Sequence, residues 1–358
     1  MKLFNLDLHA TVIKDLMDIF EGLGHSVDHW SISSHSWVHG WEKKEVDVVN
    51  QYTWKHLNET MCRRFYQRYR DTLCMYDAFV VTHTPAFALL YRDFNKPIIV
   101  VASTRYEAPF TMSKRKWEWL NNGLSELSSQ HLLCRVANNK YDQQYCEKFT
   151  NISWTHIPSY CDHASTPWRP VGRRFLVDSK HALLPLRNVN TVLKKALGRF
   201  KWADMSTYAG VIVIPYNVSV MTVFEYYTAC IPLFFPSKEF CMELYTRFPH
   251  LGIFSEISWM QIAGIQGPTA LPISPNDPNN YQKADVVAQW INNCDWFDAT
   301  WMPHITYFNS FPDLEAKLRT ADLEDISKKM YTHNIIRKQK IAQLWSQQLN
   351  NLMAQNGR

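Results

Sequence analysis

One carboxylate in this 358-residue chain sits where a bound anion and a diol would meet. Glu225 lies one turn into a helix expected to start near Met221 or Thr222. That helix follows the apolar run Gly210-Val-Ile-Val-Ile-Pro215 and a polar turn carrying Asn217 and Ser219. A β-branched, uncharged run of this kind suits a parallel strand covered on both faces. The helix ends before Ile231-Pro-Leu-Phe-Phe-Pro236, an apolar run that Pro232 and Pro236 keep short enough to be the next strand. A helix N-terminus so placed turns the backbone N–H groups around Ser219, Met221 and Thr222 toward a pyrophosphate. A carboxylate one turn in can accept from ribose hydroxyls. The plainer alternative is an ordinary βαβ unit with a solvated glutamate.

A second candidate is His9, in Asp7-Leu-His9 at the end of the opening strand. Ligands of doubly wound sheets lie beyond the carboxyl ends of the strands, so a histidine there faces the cleft expected between two domains. A neutral imidazole can take the proton of an attacking hydroxyl, with a neighbouring carboxylate holding its tautomer. Alternatively, His9 is a helix-entry histidine with no role. Histidines 25, 29, 35 and 39 cluster near the second strand, but without carboxylate or cysteine help they read as surface or packing residues, and no metal site is expected.

Glu225-Tyr-Tyr-Thr-Ala-Cys-Ile-Pro232 resembles the donor-binding segment of GT-B fold glycosyltransferases. There a Pro-ending strand and a turn lead into a Glu-Ala-x-Ala-x-Gly-x-Pro helix end and a hydrophobic strand. Glu225 and Pro232 stand in frame, while Cys230 and Ile231 replace small residues. Many retaining members carry a second Glu eight positions earlier, where this chain has Asn217. The resemblance therefore implies transfer of a sugar from a UDP or GDP donor to a carbohydrate hydroxyl, with inversion favoured and Glu225 on the ribose.

The same resemblance implies further roles. His9 matches the base that many inverting members carry after the first strand. His83 and Arg105 end two other strands where acceptors are held, and Glu107 is a reserve base. Ser179 and Lys180 follow the Phe175-Leu-Val-Asp178 strand where several families neutralise the departing diphosphate, and Arg187 is near enough in sequence to assist. The Leu8-His-Ala-Thr-Val-Ile13 opening and the aromatic content also look similar to glycosyltransferases of large algal DNA viruses. A nucleotide-sugar epimerase of the same fold, or a non-catalytic sugar- or nucleotide-binding protein, would use the same donor site.

The elements that must position these residues form an α/β plan of two Rossmann-like, doubly wound domains facing a cleft. Residues 1–158 read as the acceptor domain, 159–330 as the donor domain and 331–358 as a helix packing back across them. The first domain runs from the Lys2 strand through an Ala10 helix closed by Gly22 and Gly24 to the His25 strand. A helical stretch follows from about Tyr52 to Leu73. The strand at Tyr76 then leads into a helix begun by Pro85, a strand at Ile98, and a strand and helix from Leu132 to Phe149. Prolines 158, 167 and 170 mark a linker. In the second domain Asn190–Phe200 and Ala284–Asn293 read as helices, and Pro312–Tyr331 and His333–Asn351 as two closing helices.

Composition fits this plan. Hydrophobic residues make up 46% and aromatics 14%, which excludes a disordered chain. The net charge of +5 is scattered without a long basic run, so anionic small molecules are more natural partners than nucleic acid. The eight cysteines, with no C-x-x-C, read as packing thiols. No run approaches a membrane span, and the N-terminus is too short in apolar residues for a signal peptide, so a cytoplasmic or at most peripheral protein is expected and the sequons at Asn58, Asn151 and Asn217 are chance matches. No Asp-x-Asp diphosphate-metal motif and no Gly-x-Gly-x-x-Gly follows a strand, so no cofactor is expected beyond the nucleotide-sugar co-substrate, and metal independence is the expectation.

Overall fold

A computed structural model describes residues 1–108, 110, 113–179, 184–187, 189–248, 251–254 and 283–357. The described residues divide into two compact units, 1–159 with 339–357, and 160–254 with 283–338. Each is built on one parallel sheet, so each is a doubly wound, Rossmann-like domain.

In the first unit the order is β1 (Lys2–Asp7), α1 (Ala10–Gly22), β2 (Ser26–Ser31), α2 (Glu59–Leu73), β3 (Ala78–Val81), a 3-10 helix (Pro85–Phe94), β4 (Ile98–Ala102), α3 (Lys114–Ser129), β5 (Leu133–Ala137), α4 (Lys140–Thr150) and β6 (Thr155–His156). The sheet order is β2-β1-β3-β4-β5-β6. The chain therefore leaves β1 in one direction for β2 and returns past it to β3, which makes the β1/β3 carboxyl ends a topological switch point. Ala78–Val81 and Ile98–Ala102 are buried throughout, as strands covered on both faces must be. The period of α1 turns Val12, Ile13, Leu16 and Phe20 inward, and Gly24, at φ +84°, ends the element where a side chain would strain.

The second unit runs β7 (Phe175–Asp178), β8 (Thr191–Leu193), α5 (Trp202–Met205), β9 (Gly210–Val213), α6 (Met221–Thr228), β10 (Leu233–Pro236), α7 (Lys238–Arg247), α8 (Ala284–Asn292), β11 (Thr306–Phe308) and α9 (Phe311–Thr320). Its sheet order is β11-β10-β9-β7-β8, all parallel, with the switch point between β7 and β9. Gly210 opens β9 because a Cβ there would stand 2.8 Å from the Pro232 carbonyl, leaving no room for any side chain.

Three expectations change. Asn190–Phe200 is not a helix: Thr191, Val192 and Leu193 pair with Phe175, Leu176 and Val177, and only Lys194–Leu197 coils, as a 3-10 turn. The β-branched pair Thr191-Val192 suits the pleated edge better than a helix, and Gly198, at φ +62°, stops the coil. The Pro85 helix is 3-10 in type, with Pro85 at its start and Asn95 left-handed at its end. Lys114–Ser129, outside the expected elements, is a full helix capped by the Ser113 hydroxyl, which accepts from the Lys116 N–H. The two closing helices are α9 and a single 33-residue α10 (Leu323–Gln355). Thr332 and Asn334 do not break α10, because the Thr332 hydroxyl donates to the Lys328 carbonyl and the Asn334 amide donates to the Tyr227 carbonyl. All eight cysteines are free thiols, seven of them buried. No helix of the described residues is long and apolar enough to cross a membrane.

Candidate functional site

In the first unit, the β1/β3 switch point is organised by Asp7. It is fully buried, and both its oxygens are engaged. Oδ2 accepts from the backbone N–H groups of Thr82, His83 and Thr84 at 2.9, 2.9 and 3.1 Å. Oδ1 accepts from the Leu8 N–H at 2.7 Å and the Thr84 hydroxyl at 2.9 Å. Five donors fill the acceptor capacity of a carboxylate, so Asp7 holds the loop after β3 and does not serve as the tautomer-setting carboxylate of His9. What it achieves is positional: the His83 ring stands 5.1 Å from that of His9. His83 is buried, and burial pushes its pKa down to about 3, so it stays neutral. His9, half-buried at the N-cap of α1, reaches solvent. The structure thus brings two predicted residues, His9 and His83, together.

Arg105 and Glu107 belong elsewhere. Arg105 is 2% exposed, and its Nε lies 2.9 Å from Asp142 Oδ1. It also stacks over Tyr141, 5.2 Å from the ring centroid. A guanidinium so enclosed faces the Asp142 carboxylate of α4 and is not presented to solvent. Glu107 is wholly buried and accepts from the Tyr145 hydroxyl at 2.6 Å, and burial raises its pKa to about 7. That value suits a base, but in this conformation no solvent reaches it.

In the second unit, α6 presents the predicted donor residues. Its N-cap, Val220, supplies no side-chain oxygen, and its first turn holds no acidic residue, so the helix itself brings no negative charge to that end. Ser219, Met221 and Thr222 are half-buried around it, and Asn217 bends back to accept from the Val218 N–H at 2.8 Å. Ser179, after β7, is buried with its Oγ lacking a hydrogen-bond partner among the described residues. Such an orphan hydroxyl is costly unless a ligand or water satisfies it. Lys180 lies outside the described residues. Arg187 is exposed, and the contact that holds it runs from its backbone N–H to the Glu315 carboxylate.

Two participants escaped the sequence reading. Among the described residues a cation at the end of β7 is Lys194, whose Nζ donates to Asp178 Oδ2 at 2.9 Å, and Tyr226 donates its hydroxyl to the same oxygen at 2.9 Å. Reading Lys194 into a helix hid it, because only the β7/β8 pairing carries it there. The second is His163, on a 3-10 turn (Asp162–Ala164) within the stretch read as linker. Its Nε2 lies 2.8 Å from Glu225 Oε1, both side chains being under a tenth exposed. Among the described residues no other hydrogen bond or ion pair reaches the Glu225 carboxylate. A histidine among prolines was the sole sequence signal.

A cavity of about 660 Å³ opens at the other end of α6, against Thr228, Cys230, Tyr160, Trp168 and Asn334. None of the described donor candidates lines it, and its floor is self-satisfied: Thr228 donates to the Tyr160 carbonyl, and Ser327 to that of Cys230. Size alone does not make it the site. Among the described residues no group of three or more His, Cys, Asp or Glu is placed to hold a metal ion.

No protein-family model matches the chain, and no curated protein matches its sequence. Solved structures do resemble it. The glycosyltransferase SnogD from Streptomyces nogalater is 12% identical, covering 97% of this chain and 99% of that one with a TM-score of 0.46. The kitacinnamycin glycotransferase is 10% identical, with 97% and 98% coverage and a TM-score of 0.45. VinC, a glycosyltransferase in complex with dTDP, is 9% identical, with 99% and 100% coverage and a TM-score of 0.40. Likeness at this level concerns the path of the chain and assigns no residue a role. It offers nothing toward the narrower resemblance to algal-virus enzymes.

Proposed function

We propose that the chain is a glycosyltransferase that moves a sugar from a nucleoside diphosphate to a carbohydrate hydroxyl of a glycan or glycoprotein. The observation that carries this reading is the Glu225 carboxylate, one oxygen on His163 and the other without a hydrogen bond among the described residues, one turn into the uncapped helix beside the β7/β9 switch point. A diphosphate fits the α6 N-terminus and the Ser179 hydroxyl, and a ribose hydroxyl donates to Glu225 Oε2. Charge grows on the departing diphosphate as the anomeric bond breaks, so fixed donors and cations there favour the transition state. Lys180 is assigned to that task, with Lys194 as a further basic group of the same strand end.

His9 is the base in this reading. The acceptor oxygen attacks the anomeric carbon, the bond from that carbon to the diphosphate breaks, and the acceptor proton passes to the His9 imidazole, kept company by a neutral His83. The sugar inverts. Metal independence and a cytoplasmic location complete the reading.

The test is incubation with UDP-, GDP- and dTDP-sugars with and without EDTA, following nucleoside diphosphate release and thermal stability. Slow donor hydrolysis or transfer that survives EDTA is expected. Stabilisation by donors without any turnover would identify a nucleotide-sugar-binding protein instead, and full dependence on Mg²⁺ or Mn²⁺ would reject metal independence.

A further inference from the structure

In the first unit, α3 opens on a charge that its own geometry disfavours. Ser113 caps it by accepting from the Lys116 N–H at 3.3 Å, and Lys114, Arg115 and Lys116 follow with no acidic residue in the first turn. The partial positive charge of a helix N-terminus favours carboxylates there, and a glutamate three residues after a serine cap would close a capping box. This chain has Lys116 instead. Natural chains break such local rules chiefly where a site requires it.

Nothing within the protein offsets the misfit. Lys114 reaches a carboxylate, Glu118 at 3.8 Å, but among the described residues neither Arg115 nor Lys116 has an ion-pair partner. Lys116 is half-buried with its Nζ 5.4 Å from the Phe110 ring centroid, and burial pulls its pKa below the ordinary lysine value. Both cations line a cavity of about 420 Å³ together with Asn58, Glu59, Ser113 and Trp119. The charge of Glu59 is matched by Arg92, whose Nη2 donates to it at 2.5 Å, so Arg115 and Lys116 leave the cavity electropositive. The Trp119 indole supplies an apolar wall, held by its own bond to Glu59 at 3.3 Å and by Phe110 at 5.8 Å between ring centroids. α2 and α3 each run back to the start of a parallel strand, β3 and β5, so their first turns lie at the carboxyl end of the sheet, the end that also carries His9.

A cavity of this size suits a small molecule, and its walls ask for two features at once, an anion and an apolar ring face. A sugar with an acidic substituent has both. We propose that this cavity binds an acidic saccharide, a sugar bearing a carboxylate or phosphate, with the anion at Arg115 and Lys116 and the C–H face of the ring against Trp119. Under the glycosyltransferase reading above this sugar belongs to the acceptor; as a binding site the cavity stands without that reading.

Calorimetric titration of the full chain with glucuronic acid, glucose 6-phosphate, glucose and inorganic phosphate tests this. At least one acidic sugar is expected to bind about tenfold or more tighter than glucose, the range of one charge-assisted hydrogen bond, and tighter than phosphate, which has no ring for Trp119. Replacing Arg115 and Lys116 together by Ala should erase the preference over glucose. Lys116→Glu should raise the melting temperature by closing the capping box while abolishing acidic-sugar binding, which separates loss of the site from loss of the fold. Acidic sugars that bind no tighter than glucose overturn the proposal, as does a preference unchanged in the folded double variant, and phosphate binding as tight as theirs overturns the saccharide assignment. Acidic sugars that bind but receive nothing from any nucleotide sugar leave the site standing and reject the acceptor role alone.

Discussion

Asp7 and Thr84, seventy-seven positions apart, are joined twice, through the Thr84 amide at 3.1 Å and its hydroxyl at 2.9 Å. The same carboxylate holds the amides of Thr82 and His83. One buried anion thereby fixes the loop that carries His83 beside His9, and the negative charge is stabilised by converging N–H dipoles in place of a cation.

Asp7→Asn tests that arrangement. An amide nitrogen would face donors, and the remaining oxygen could serve only some of the five. A loss of about 3 kcal/mol or more is expected, seen as a lower urea midpoint at unchanged m value. A change under about 1 kcal/mol would show that the loop does not depend on the charge.

Glu225→Ala should weaken nucleoside diphosphate binding by about 1.5 to 3 kcal/mol, the cost of one hydrogen bond to a charged group. Because His163 would lose its acceptor, a modest fall in melting temperature should accompany it. Calorimetric titration of a variant shown to be folded checks this, and unchanged affinity would remove Glu225 from the site.

His9→Ala should lower kcat by about 10² to 10⁴-fold, the usual contribution of a positioned base, with donor affinity nearly unchanged because the donor residues belong to the other unit. NMR of the new glycosidic linkage reads the stereochemistry. Retention of the donor's anomeric configuration would reject inversion, and full activity in the variant would pass the role of base to another residue.

His83 supplies a pH dependence. Its folded pKa of about 3 lies below the ordinary value of 6.5, so between those values the unfolded chain takes up a proton that the folded chain refuses. The stability is fully present above about pH 6.5 and is lost as pH falls toward 3, by about 2 kcal/mol at pH 5. Glu107, held up at about 7 by burial, works in the opposite sense. Replacing His83 by Asn should therefore shift the change in unfolding free energy between pH 7 and pH 5 by about 2 kcal/mol in favour of the folded state at pH 5, relative to the parent, and an unchanged difference would refute the burial argument.

Local pattern was enough for the elements whose burial is written in their own residues. The runs Ala78–Val81, Ile98–Ala102 and Gly210–Val213 are apolar throughout because both faces of a parallel sheet are covered, and so the strands, and with them the placing of Glu225 on α6 and of His9 after β1, could be read directly. Only the tertiary structure decided what those residues touch. Lys194 meets Asp178 because Thr191–Leu193 pairs with β7, a long-range gain that outweighs local helix pattern. Arg105 turned inward because Asp142, thirty-seven residues on, offers a buried counter-charge. His163 reaches Glu225 across sixty-two residues, and the Asp7 carboxylate finds its donors at 82–84. Sequence spacing carries periodicity, but a partner for a buried charge is chosen by whichever segment the fold brings within hydrogen-bond distance, and that choice is made only when the sheets assemble.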